Sequence, residues 1–402
     1  MTATMLIAAV AGSALAFCPP TECNEGPPQA VIVGAAFTPA EALVAAEPEA
    51  VRPRIDVVFV LDTTGSMSGL IEGAKAKIWS VANQIASADP KPLVRIGLVA
   101  YRDVGDEYVT KLTPLSDDLD TVYADLMKLS ANGGGDTPES VNQGLNEAVA
   151  KIAWEEGASR DNYLKLIYLV GDCPPHMDYA QDVKYEASCK LAAERGITIN
   201  TIQCGNHSET TPIWQEIARK AEGEFFQIDQ SGGMTAIATP FDEEMARLGR
   251  DLDGTLVSYG SAQAQAAMAY KVESGRKIDA AAPAEALAER AACKADGGAT
   301  LWGRQELIQD CAEGKVKLAD LKDEELPEPM RAMNAAERES YVKEQSRARS
   351  ECQAKIADVN GKRQAFIKEK LAEAGGDSFD AKVMQALRVQ AAKCGIRYAA
   401  AK

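Results

Sequence analysis

Residues 55–68 read Ile-Asp-Val-Val-Phe-Val-Leu-Asp-Thr-Thr-Gly-Ser-Met-Ser. From Ile55 to Leu61 the run is apolar and rich in β-branched residues, and it has the length of a buried strand. It ends on Asp62, and Thr64 and Ser66 follow at alternate positions with Gly65 between them. A carboxylate and two hydroxyls leaving a strand on one short loop can converge on one point. An all-oxygen set suits a hard divalent cation such as Mg²⁺, which takes oxygen ligands in near-octahedral geometry.

Outward from this stretch the pattern alternates between strands and helices. Leu70–Ala86 is amphipathic, with Ile71, Ala74, Ile78, Val81 and Ile85 on one face. Val94–Tyr101 reads as a second buried strand, Tyr108–Leu115 as an edge strand and Leu119–Leu129 as a helix. Pro138 and Glu139 sit where the first turn of another helix belongs. Leu164–Val170 is a strand that runs into Gly171-Asp172, and Tyr179–Arg195 is a helix closed by Gly196. Ile197–Gln203, Thr211–Ala221 and Glu224–Ile228 complete a strand–helix–strand series. The series predicts an α/β fold with a doubly wound, mainly parallel sheet flanked by helices. Such sheets bind ligands beyond the carboxyl ends of their strands, where Asp62 and Asp172 both stand.

Three loops together resemble a known family. Asp62-x-Thr64-x-Ser66 is similar to the metal-ion-dependent adhesion motif of von Willebrand factor type A domains, with Thr64 in place of the first Ser. Gly133-Gly-Gly-Asp136-Thr137-Pro138-Glu139 looks like the middle loop of the hemicentin-related branch and of many exported bacterial proteins. Gly171-Asp172 matches the last loop. The resemblance implies a Rossmann-like domain over residues 54–250 with metal ligands Asp62, Thr64, Ser66 and Asp172. The middle-loop ligand is either Asp136 or Thr137. With Asp136 the site has three carboxylates, which hold a dication firmly but weaken its pull on an acidic ligand. With Thr137 the metal stays electrophilic. The implied cofactor is Mg²⁺, with Ca²⁺ and Mn²⁺ as alternatives. The implied partner is a protein that presents an acidic side chain to the metal.

Nothing in the chain calls for an enzyme. It has no H-E-x-x-H, no G-x-S-x-G and no phosphate-binding G-x-x-x-x-G-K-[ST]. A metal-dependent hydrolase and a cytoplasmic adaptor of an ATPase complex are the rival readings. The chain has 43 Lys and Arg against 59 Asp and Glu, and this formal charge of −16 argues against nucleic-acid binding.

Leu6–Ala16 is apolar, too short to span a bilayer, and ends in Ala14-Leu15-Ala16, so residues 1–16 read as a signal peptide although no Lys or Arg precedes them. Residues 17–53 read as a flexible leader, and no later stretch can cross a membrane. The expected location is secreted or periplasmic. Nine cysteines fit an oxidising compartment. The pairings considered are Cys18/Cys23, Cys293/Cys311, Cys352/Cys394, and Cys173 with either Cys204 or Cys189.

Residues 260–402 are rich in Ala, Glu, Lys and Arg and predict an α-helical C-terminal region. Residues 335–374 and Ala381–Cys394 read as a helical hairpin, with Cys352 and Cys394 placed to lock it. Near the predicted site, Asp103 either approaches the metal loop or pairs with Arg102, while His176 and His207 lie on top loops.

Overall fold

Both faces of one central strand are covered, and this decides the architecture. β1 (Arg54–Asp62) is buried at every position after Arg54. Its residues alternate between two cores: Ile55, Val57, Phe59 and Leu61 face one, and Val58 and Val60 face the other. A strand flanked on both sides by helices needs a nearly continuous apolar run, as the sequence has. The computed structural model describes residues 52–155, 162–231, 233, 237–297, 305–374 and 379–398. The expected signal peptide, nearly all of the expected leader, Cys18 and Cys23 lie outside the described residues.

The sheet has six strands in the order β3-β2-β1-β4-β5-β6. β2 is Leu93–Tyr101, β3 Thr110–Ser116, β4 Tyr163–Gly171, β5 Ile197–Cys204 and β6 Phe225–Ile228. Only the β2–β3 pairing is antiparallel. In register, Asp62 stands beside Tyr101, and Leu61 beside Val170. The carboxyl ends of β1, β2 and β4 therefore finish level with one another. Helices α1 (Ser68–Ala86) and α2 (Leu119–Met127) cover one face, and α3 (Val141–Ala150), α4 (Tyr185–Glu194) and α5 (Thr210–Lys220) the other. The predicted doubly wound, mainly parallel sheet is the observed one.

Two helices start later than the sequence predicts. The one expected from Thr137 begins at Val141, after Ser140. The one expected from Tyr179 begins at Tyr185. Glu139 and Tyr179 are thereby released from helix ends to make contacts in the top loops.

The chain after residue 240 is helical, and it is built into the same compact unit as the sheet. Helices α6 (Asp242–Asp253), α7 (Ala262–Ala281), α8 (Ala284–Gly297), α9 (Leu307–Ala312) and α10 (Glu328–Arg331) precede two others, α11 (Ala335–Ala374) and α12 (Phe379–Lys393). α12 lies on the sheet: the Phe379 ring is 5.9 Å from that of Phe59, and the Tyr168 hydroxyl donates to the Val383 carbonyl at 2.9 Å. Asn200 of β5 and Gln390 exchange amide hydrogen bonds of 3.0 and 2.6 Å. Among the described residues, no helix is long and apolar enough to cross a membrane.

The expected Cys352–Cys394 disulfide is not made. α11 packs Cys352, Ile356 and Val359 against Met245, Leu248 and Ala288 of α6 and α8. α12 packs Val383, Leu387 and Ala391 into the core under the sheet. Cys352 and Cys394 thus belong to different cores, and the Cys352 thiol donates to the Leu248 carbonyl at 3.2 Å. Cys173, Cys189, Cys204, Cys293, Cys311 and Cys352 are free thiols. Cys189 and Cys204 lie on opposite faces of the sheet, and Cys293 and Cys311 pack in separate clusters. The pairings proposed for Cys173, Cys293 and Cys352 are therefore not made.

A buried charge cluster joins the C-terminal helices to the sheet domain. The Arg290 guanidinium, 2% exposed, donates to Asp120 at 2.7 and 3.0 Å and reaches Asp253 at 2.9 Å. Lys294 bridges the same two carboxylates at 3.1 and 2.7 Å. Removing one member of such a cluster leaves buried charge uncompensated. Arg290→Ala is expected to lower unfolding free energy by about 3–5 kcal/mol, read from urea denaturation. An unchanged midpoint would show that this cluster adds nothing to the docking of the helices.

Candidate metal centre

Asp62 ends β1 with no solvent exposure. Its Oδ1 accepts from the Thr64 backbone N–H at 2.9 Å and from the Thr64 hydroxyl at 2.6 Å, while its Oδ2 is buried with no hydrogen-bond partner. The Thr64 and Ser66 hydroxyls are 3.4 Å apart, and Ser66 is exposed, so this cluster opens to solvent there. Asp172 follows β4. Its Oδ2 accepts from Gln230 Nε2 at 2.6 Å, and its Oδ1 is buried without a partner.

The middle loop brings a third carboxylate. Glu139 is 2% exposed, and its Oε2 is also buried and unpartnered. Its backbone is zipped to the last loop: Glu139 N–H donates to the Pro174 carbonyl at 3.0 Å, and His176 N–H donates to the Glu139 carbonyl at 3.0 Å. Close approach depends on two glycines. A Cβ on Gly134, whose φ is +73°, would lie 2.7 Å from Glu139 Oε1 and 2.9 Å from Thr64 Cβ. A Cβ on Gly171 would lie 2.4 Å from the Tyr101 hydroxyl and 2.9 Å from Asp62 Cβ.

Burial, and then the Asp172 carboxylate, push the Asp62 carboxyl up to about 7. Burial, followed by the Asp62 and Asp103 carboxylates, pushes Glu139 up to about 9. Glu139 therefore feels several acidic groups at once, Asp106 and Asp172 among them. Arg102, the neighbouring cation, turns elsewhere: it donates to the carbonyls of Thr63 at 3.2 Å and Ser130 at 2.7 Å, and lies 4.3 Å from the Tyr108 ring centre. Buried polar atoms are ordinarily satisfied, and each one left without a partner is costly. Three carboxylate oxygens without partners, carried on three loops, are of the donor type that a hard dication takes.

Of the residues singled out in the sequence, Asp62, Thr64 and Ser66 are linked side chain to side chain, and Gln230 joins Asp172 to the Ser66 carbonyl. Asp136 is exposed and clusters with Asp103 and His176, one ligand atom from each lying within 4.8 Å of the others. Thr137 is exposed. Asp103 does not pair with Arg102; it accepts from the Ser140 hydroxyl at 2.8 Å and the Tyr179 hydroxyl at 2.9 Å. His207 Nδ1 meets the Thr210 hydroxyl at 3.1 Å. Sequence reading missed Glu139, Gln230 and Tyr179 as site residues. The signal for Glu139 was its place three residues after Asp136, which a helix-terminal acid explains equally well.

Residues 56–239 match the family model of the von Willebrand factor type A domain. The fold is that of a type A domain. A putative ariadne-like RING finger protein of Acanthamoeba polyphaga mimivirus is 20% identical over 213 residues, which is 49% of this chain and 20% of that protein. The chain thus spans about a fifth of the length of this curated relative. Among solved structures, proximal thread matrix protein 1 from the mussel byssus is 17% identical, with 44% of this chain and 42% of that chain covered and a TM-score of 0.34. The VWA domain of SpRpn10 is 14% identical, with 45% and 91% covered and a TM-score of 0.34.

The two raised carboxyls set a pH dependence. Both groups hold protons in the folded chain that an unfolded chain releases above about pH 4. The native state binds the excess, so stability falls as pH rises through about 7 for Asp62 and about 9 for Glu139. In EDTA the urea midpoint is expected to fall from about pH 5 to about pH 8, less steeply in Asp62→Asn. A midpoint rising over that range in EDTA would contradict this picture of the site.

Proposed function

We propose that this type A domain is a cation-dependent protein-binding module. The observation that carries the reading is the set of three buried, unpartnered oxygens, Asp62 Oδ2, Glu139 Oε2 and Asp172 Oδ1. Asp62, Thr64, Ser66, Glu139 and Asp172 would hold a divalent ion, and the all-oxygen donor set favours Mg²⁺ over softer metals. When bound, such an ion supplies a Lewis-acidic position at the exposed Ser66 side that a carboxylate of a partner protein can fill. Three carboxylates against one dication leave modest attraction for that acidic side chain. Affinity then depends on loop surface around it, where Val104 and Met177 are exposed apolar residues beside Asp103 and His176 in sequence.

The function is binding without turnover. The Gly-Gly-Gly-Asp-Thr-Pro-Glu loop supports placement in the hemicentin-related branch, and the apolar segment ending at Ala16 supports export to the periplasm or beyond.

The test uses the full chain, Mg²⁺ calorimetry and an immobilised library of Asp- and Glu-containing peptides, with a matched Asn and Gln library as control. Wild type is expected to retain acidic peptides in Mg²⁺. Either EDTA or Asp62→Ala is expected to lower retention about tenfold or more, equivalent to about 1.4 kcal/mol, with the circular dichroism spectrum unchanged. Equal retention of both libraries, or retention indifferent to EDTA, would overturn the reading.

A further inference from the structure

Beside the Asp62 centre lies a group of residues with different chemistry. Asp103, Asp136 and His176 each bring one ligand atom to within 4.8 Å of the others. Asp103 follows β2, Asp136 is on the middle loop and His176 is on the loop after β4, so three separate segments converge. His176 is 5% exposed, and its Nε2 is buried with no hydrogen-bond partner. That nitrogen lies 3.4 Å from Asp103 Oδ2.

The other ring nitrogen shows what Nε2 offers. His176 Nδ1 is 2.8 Å from Asp178 Oδ1, a contact that fixes the ring proton on Nδ1 when the imidazole is neutral. Nε2 then presents a lone pair to a carboxylate oxygen. Two acceptors facing each other with no proton between them are brought together by a cation. A carboxylate behind the far nitrogen of a ligating histidine is a recurrent arrangement in metal sites, because it orients the ring and raises its basicity. The pocket is held on other sides as well. Tyr179 stacks on the His176 ring at 4.0 Å and donates to Asp103, and Ser140 donates to the second Asp103 oxygen. Asp136 is exposed, so solvent can complete a coordination shell.

We infer that Asp103, Asp136 and His176 form a second cation site, separate from the Asp62 centre and suited to a first-row transition dication. An imidazole with two carboxylates favours Mn²⁺ or a softer relative over Mg²⁺, whose preference for oxygen the first centre meets. The inference stands on its own residues and does not depend on what the Asp62 centre binds.

The experiment uses Mn²⁺ as the probe, because the chain carries free thiols that would compete for zinc or cobalt. Free Mn²⁺ is counted by electron paramagnetic resonance across a titration of full-length protein, and electron spin echo modulation reports nitrogen bound to Mn²⁺. Asp62→Ala is expected to keep one Mn²⁺ with nitrogen modulation. His176→Gln is expected to lose that modulation. Asp136→Asn, at an exposed position that does not threaten folding, is expected to weaken the same site about tenfold or more. The inference is overturned if Asp62→Ala binds no Mn²⁺. It also fails if nitrogen modulation is absent from wild type, or if Asp136→Asn leaves the affinity of the nitrogen-bearing site unchanged.

Discussion

Everything at the top of this molecule follows from the desolvation of one carboxylate. β1 is covered on both faces, so the residue that ends it is withdrawn from water before the loop has begun. A carboxylate in that position needs either a proton or a positive charge. The nearest guanidinium, Arg102, is committed to backbone carbonyls and to Tyr108. Asp172 and Glu139 then add negative charge to the same region. The chain thus concentrates acidity at one buried point.

The fold was legible because parallel strands buried on both faces leave continuous apolar runs, and those runs are hard to mistake at this length. Leu-Lys-Leu-Ile-Tyr-Leu-Val and the run before Asp62 became neighbouring strands with the register that brings Asp172 toward Asp62. Part of the site was legible for the same reason, since residues at strand ends inherit their positions from the sheet. Glu139 was not. Its burial depends on where α3 begins and on backbone bonds to Pro174 and His176, contacts between loops that no local pattern encodes.

The C-terminal region marks a second limit of the same kind. Periodicity shows which face of a helix is buried but not what buries it. For α12 the helix was legible and its neighbours were not, because the surface it meets is built by Phe59, Tyr168 and Asn200, some two hundred residues or more upstream. The cysteines were misread for a related reason. Buried thiols such as Cys189, Cys204, Cys293 and Cys352 pack like small apolar side chains, and spacing along the chain says nothing about distance in space.

The Phe379–Phe59 contact and the Tyr168–Val383 hydrogen bond carry one more consequence. Similarity to type A domains ends near residue 239, yet α12, which packs on the same face of the sheet as α1 and α2, arrives more than a hundred residues later. A fragment cut where the resemblance stops would keep every candidate ligand of the Asp62 centre and lay open the apolar side of β1, β4 and β5. Family resemblance and the packed core thus divide this chain at different places.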